Sequence, residues 1–169
     1  MVKNDFYYLE QTPHVLAKDL IASLDLPAGM NLLEPFKGEG AFFDHFPEAN
    51  PKLWAEIQEG RDYRDISGSY DWVITNPPFQ LETGSKRVNS FWFLVDYFTQ
   101  RANKGVAFLG NDRCFSTLTP RRLELLKTRG WFLHKVVVCS VKKWRGRYFF
   151  LIFRKTPSTA LSHLLTNYE

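Results

Sequence analysis

Trp72-Val73-Ile74-Thr75-Asn76-Pro77-Pro78-Phe79 decides the fold of this chain. Residues 72–75 are a short apolar run of the kind that fills a strand buried on both faces. Two consecutive prolines then stop it. They fix two φ angles, remove two N–H donors and force Asn76 into an extended conformation. A buried strand that ends in so stiff a loop fits an open α/β sheet, where ligands bind outside the carboxyl ends of the strands.

Outward from this stretch, short apolar runs alternate with amphipathic ones, which predicts a single doubly wound α/β domain. On the amino side, Leu53 to Ile57 and Asn31 to Glu34 read as strands. Before them, Thr12 reads as a helix N-cap and Pro13 as the first helical residue. That helix carries Val15, Leu16, Leu20, Ile21 and Leu24 on one face and stops near Pro27 and Gly29. On the carboxyl side, residues 80–90 read as a loop, followed by a helix with Phe91, Leu94, Val95, Phe98 and Ala102 as its apolar stripe. Gly105 to Gly110 reads as another buried strand. Thr119-Pro120 repeats the cap-plus-proline signal, and Gly130 closes that helix. Val136 to Val141 and Tyr148 to Phe153 read as two strands flanking a basic turn, with no repeat and no low-complexity tract anywhere. The expected divisions of this one domain are an N-terminal helical part (1–30), a core (31–112), a basic half (113–155) and a tail (156–169).

The 169 residues are 44% hydrophobic and 24% charged, which excludes a disordered or fibrous chain. Two cysteines exclude a disulfide scaffold and a Cys-rich zinc site, and no histidine has ligand-like spacing, so no metal is expected. No apolar run approaches the roughly 18–20 residues that span a bilayer, and Met1 to Glu10 has no apolar leader pattern. The expectation is a cytoplasmic or otherwise intracellular protein without membrane contact, a nuclear site staying open for a eukaryotic or viral source. The net charge of +4 hides a split. Residues 1–112 hold ten Lys and Arg against sixteen Asp and Glu, a balance of −6, whereas residues 113–169 hold twelve against two, a balance of +10. A basic second half predicts a polyanionic partner.

The chemistry concentrates in Asn76-Pro77-Pro78-Phe79. The loop offers a side-chain carbonyl on Asn76, a backbone carbonyl on Pro77 and an aromatic face on Phe79. Two acceptors beside a stacking plane suit a planar ligand with an exocyclic NH2. An aryl or amide amine is a poor nucleophile because its lone pair is delocalised. Acceptors for both N–H bonds draw the nitrogen toward tetrahedral geometry and expose that lone pair to an electrophile. A second signal is Glu34-Pro35-Phe36-Lys37-Gly38-Glu39-Gly40, where a strand ends in an acid and passes through a two-glycine turn into a helix. Gly38 and Gly40 allow close backbone approach to a ligand. Phe43 occupies the third glycine position of the dinucleotide fingerprint, so that motif is excluded. Glu56 closes the next strand, where a carboxylate can hold ribose hydroxyls, and Asp62 is expected near the following strand end, where it could accept from an adenine amine.

These residues resemble the S-adenosylmethionine-dependent amino-group methyltransferases, especially the adenine-N6 type with an Asn-Pro-Pro-Phe motif, over roughly residues 5–155. The resemblance implies a Rossmann-like domain with a mainly parallel central sheet and an antiparallel final strand. It implies S-adenosyl-L-methionine as cofactor and adenine in DNA or RNA as substrate. Residue by residue, Tyr8, Thr12 and Pro13 match the N-terminal cofactor-side motif, and Glu34, Pro35, Gly38 and Gly40 the glycine motif near the methionine moiety. Glu56 matches the ribose acid, Asp62 the adenine acid, and Asn76, Pro77, Pro78 and Phe79 the catalytic motif, with Asn76 also bordering the cofactor. In the resembled fold the basic turn between the last two strands lies at the catalytic rim, which places Trp144, Arg145, Arg147 and Tyr148 against substrate, with Lys86 and Arg87 in the loop after the motif. DNA-modifying members usually carry a separate recognition region that nothing here houses, so either specificity is low, or the substrate is structured RNA, or a protein partner or a second copy of the chain supplies recognition. The exposed-looking Trp131-Phe132 suits such a surface. Two alternatives stay open: an N5-glutamine methyltransferase of proteins, and a silent methyltransferase-like subunit that binds nucleic acid or scaffolds a complex.

Overall fold

Leu32–Glu34 (β1), Lys52–Trp54 (β2), Trp72–Thr75 (β3) and Gly105–Asn111 (β6) lie side by side in parallel, in the order β2-β1-β3-β6. The computed structural model describes residues 11–83, 86–158 and 160–168, with side chains at 11–80 and 89–158. Beyond β6 the sheet continues through Tyr148–Arg154 (β8), Phe132–Val141 (β7) and Ala160–Tyr168 (β9). Every neighbouring pair is parallel except the two that β8 makes, with β6 and with β7. The mainly parallel sheet is therefore observed; its antiparallel strand, expected as the last, is β8, the last but one in the chain. The segment expected as a tail is not: β9 extends the sheet beside β7, because the chain leaving β8 crosses to the outer edge of that strand.

Alternation along the strands divides the core between the two faces. Leu32, Trp72, Ile74, Ala107 and Leu109 face His14–Ala22 (α1), which contributes Leu16, Ala17, Leu20 and Ile21. Leu33, Val73, Val106 and Phe108 face Phe91–Thr99 (α2) and Pro120–Thr128 (α4), which contribute Phe91, Leu94, Val95, Phe98 and Leu126. The predicted α2 stripe is wholly buried, Ala102 included. Each such side chain contributes about 1.5–3 kcal/mol relative to exposure, so the strand ends that carry the site are held rigidly. A four-residue helix, Asp112–Phe115 (α3), follows β6 directly.

Several local expectations change. Val15 is exposed, because positions 16, 17, 20 and 21 centre the buried face of α1 away from it. No α-helix follows the glycine turn; Phe43–His45 forms one 3-10 turn, ended where Phe46 turns extended ahead of Pro47. The second strand stops at Trp54 instead of Ile57. Residues 80–90, read as a loop, contain a hairpin of Gln80–Thr83 (β4) and Lys86–Asn89 (β5). Trp131 is buried under the α2/α4 face with Lys155 Nζ 5.4 Å from its ring centroid, so it offers no partner surface.

Candidate active site

Glu34, Thr75 and Asn111 end three parallel strands on one rim, and the cleft there opens between β1 and β3. β1 is flanked by β2 on one side and β3 on the other, so consecutive connections diverge at this point and leave a crevice at the strand ends. The crevice is lined by Gln11, Thr12, Glu34, Phe36, Gly38 and Asn76 among others.

The loop after β3 is latched at both ends. Asn76 Nδ2 donates to Thr12 Oγ1 at 3.2 Å, which sets the amide's orientation. Ser90 Oγ donates to the Pro78 carbonyl, and Ser90 N–H donates to the Phe79 carbonyl at 3.2 Å. Pro77 and Ser90 are buried, and Phe79 packs against both core clusters. The β4–β5 hairpin starts and finishes on this latch, since Gln80 pairs with Asn89.

The glycine turn is shaped by carboxylates. Gly38 has φ +52° and Gly40 φ +90°, left-handed conformations that favour glycine. A Cβ at Gly38 would meet Gln11 Oε1 at 3.1 Å, and one at Gly40 would meet Asp44 Oδ1 at 3.1 Å. Glu56 holds this turn: its Oε2 accepts from Gly38 N–H at 2.8 Å and its Oε1 from Gln58 N–H at 3.1 Å. Glu34, only 2% exposed, accepts from Phe43 N–H at 2.6 Å. Burial pushes its carboxyl well above the usual range, against the lowering effect of that bond. Beside the turn, Trp54 lies between Lys37 Nζ, 4.0 Å from its ring centroid, and the Arg61 guanidinium at 3.8 Å.

No protein-family model and no curated protein matches the chain. Solved structures do. The chain superposes over 92% of its length on 92% of a protein from Pyrococcus horikoshii described as an RNA methyltransferase, with a TM-score of 0.63 at 20% identity. Over 88% of its length it matches a chain from Vibrio vulnificus described as a modification subunit of a type I restriction enzyme, with a TM-score of 0.61 at 15% identity. It spans 45% of that subunit. Magnesium protoporphyrin IX methyltransferase from Synechocystis, crystallised with bound SAM, superposes with a TM-score of 0.57 at 12% identity, over 84% of this chain and 77% of that one. The chain has the Rossmann-like methyltransferase fold.

Within this methyltransferase fold, Thr12, Glu34, Gly38 and Asn76 share one cleft. Thr12 was expected to cap α1, but Pro13 stands at the cap position and the threonine hydroxyl accepts from Asn76 instead. Asp62 is engaged locally: it caps a 3-10 turn, and both its oxygens bind the Arg64 guanidinium, which lowers its pKa below the ordinary value. The basic turn lies at the strand-end rim, because β7 ends and β8 begins there. β8 is two strand spacings from β3, about 10 Å. Trp144 and Tyr148 meet with ring centroids 4.5 Å apart, Arg145 is exposed, and Arg147 Nε is 3.3 Å from Asp112 Oδ1. Tyr8 and the side chains of Lys86 and Arg87 lie outside the described residues. Sequence reasoning missed Ser90 and Gln11. Ser90 directly precedes an apolar helical stripe, a position that signals a cap and so conceals the latch.

Proposed function

We propose that the chain transfers a methyl group from S-adenosyl-L-methionine to the exocyclic N6 amine of adenine in DNA or RNA. One observation carries this reading: Asn76, its amide oriented by Thr12, stands on a proline-stiffened strand end in the cleft that Glu34 and the Gly38 turn also line. The cofactors and activities named for solved structures of the same fold support it, as does the +10 balance of residues 113–169.

The cleft residues fit the proposed cofactor. A buried acid and a glycine turn whose Cβ positions would crowd the wall form a cradle for a flexible, zwitterionic amino-acid tail, and Glu34, Gly38 and Gly40 would hold it. Bound there, S-adenosylmethionine supplies an electrophilic sulfonium methyl. Glu56, with both oxygens on backbone amides, positions the glycine turn; a ribose hydroxyl would have to share a carboxylate already bonded twice. Asn76 Oδ1 and the Pro77 carbonyl accept the two amine hydrogens of the adenine and disperse the positive charge that builds on its nitrogen, while Phe79 stacks on the ring. A proton leaves that nitrogen for water. A target within a duplex has to be flipped out to reach the loop.

Asn76→Ala is expected to lower methyl transfer by about a hundredfold or more, while circular dichroism and cofactor calorimetry stay unchanged. Retained turnover sinks the mechanism. A tritiated-methyl assay on duplex DNA, single-stranded DNA and RNA, with nucleoside mass spectrometry, identifies the acceptor; methylglutamine in protein, with no methylated adenine, overturns the substrate.

A further inference from the structure

Tyr148 and Phe149 are consecutive in β8, so their rings leave opposite faces of the sheet. Each meets a second aromatic at the catalytic rim. Tyr148 tilts against Trp144 of the basic turn, and Phe149 stacks on Phe115 at 4.9 Å with 23° between the planes. Phe115 ends α3. Its neighbour Cys114 is fully buried and anchors the helix, so the short element does not depend on Phe115 for its place in the core. Phe115 nonetheless remains 38% exposed, a large ring held rigid by the one behind it. The Arg147–Asp112 contact ties the basic turn to α3, making one continuous surface. Arg113, Lys142, Lys143, Arg145 and Arg147 are all exposed on it, and Asp112 is the sole carboxylate of residues 111–116 and 142–147.

We infer that α3 and the 142–147 turn form a platform for single-stranded nucleic acid, on which Phe115, backed by Phe149, stacks a base flanking the one held at Asn76. The inference rests on the nucleic-acid reading above and narrows it from nucleic acid in general to an unpaired strand. The cations hold phosphates and set register, while an exposed aromatic face needs a base released from its own stack. A duplex interior provides no such base; loops, bulges and single strands do. The platform lies one to two strand spacings from the end of β3, about 5–10 Å, close enough for a nucleotide next to the target.

Fluorescence anisotropy, without cofactor, is measured on labelled single-stranded RNA and DNA of roughly a dozen nucleotides and on the matching DNA duplex. Single strands are expected to bind more tightly than the duplex. Phe115→Leu keeps an apolar contact with Phe149 but loses the stacking face, and it should weaken single-strand binding by roughly fivefold or more while the melting temperature holds. Arg145→Ala should flatten the plot of log affinity against log salt by about 0.7. Unchanged single-strand affinity in Phe115→Leu, or duplex binding as tight as single-strand binding, overturns the platform. The two readings fail separately. Phe115-dependent binding without any methylated adenine leaves the platform standing and removes the activity; adenine methylation with Phe115→Leu neutral in binding does the reverse.

Discussion

Thr12-Pro13 and Thr119-Pro120 are the same dipeptide ahead of two nine-residue helices, and the fold uses them differently. Thr119 Oγ1 accepts from Arg122 N–H at 3.4 Å, with Pro120 at the first helical position, so α4 is capped as its sequence suggests. Thr12 is buried at the cleft; α1 starts without a side-chain cap, and the hydroxyl orients Asn76 instead. Ser90 makes the second choice again. It occupies the N-cap position of α2, makes no capping bond there and holds the Pro78 carbonyl. A hydroxyl beside a helix start is thus a donor and acceptor whose partner is set by what the fold brings near. Near the cleft, that partner is the loop carrying Asn76.

The contrast is open to direct attack, and the largest effect is expected at Ser90. Ser90→Ala leaves the partly buried Pro78 carbonyl without its donor. It should cost about 1–3 kcal/mol in denaturant unfolding and also lower turnover; loss of stability with unchanged turnover would make the latch purely structural. Thr12→Val should follow, with kcat about tenfold lower, KM for the nucleic acid little changed, and activity rescued by Thr12→Ser. If the valine variant instead loses helix content at full specific activity, Thr12 is a cap after all.

Glu34 tests the cleft from the acid side. Burial raises its carboxyl above the ordinary value of 4.5, so the folded state favours the protonated form. That contribution to stability is complete below about 4.5 and lost as pH rises through the raised value. Glu34→Gln cannot ionise, so it should melt higher than the wild chain at neutral pH, with the gap closing toward acid. A gap that stays constant with pH would remove burial as the cause. The smallest effect belongs to Thr119→Ala, about 1 kcal/mol or a melting shift of about 2–4 °C, with methyl transfer intact. Any loss of turnover there would erase the distinction between the two threonines.

The legible parts of the molecule share a physical origin. β3 and β6 appear as largely apolar runs because they are buried on both faces, and the α2 stripe repeats at helical spacing because one side packs on the sheet. The Pro-Pro step speaks for itself, since its restriction is covalent. The hairpin at 80–89 was illegible because its polar residues carry a turn-like composition, while its strands are specified by pairing with each other. The truncated turn at Phe43–His45 hid behind a glycine motif that usually opens a helix.

By itself the sequence determined the α/β class, the buried strands, the stiff Asn76 loop and the charge split, because periodicity, proline and charge act locally or add along the chain. The tertiary structure decided what a local pattern cannot hold. Thr12 meets Asn76 across 64 residues, β8 slots between β6 and β7, and Phe115, just past the end of β6, stacks on Phe149 of the adjacent β8. Such contacts depend on which surfaces close over which, and no spacing along the chain records that.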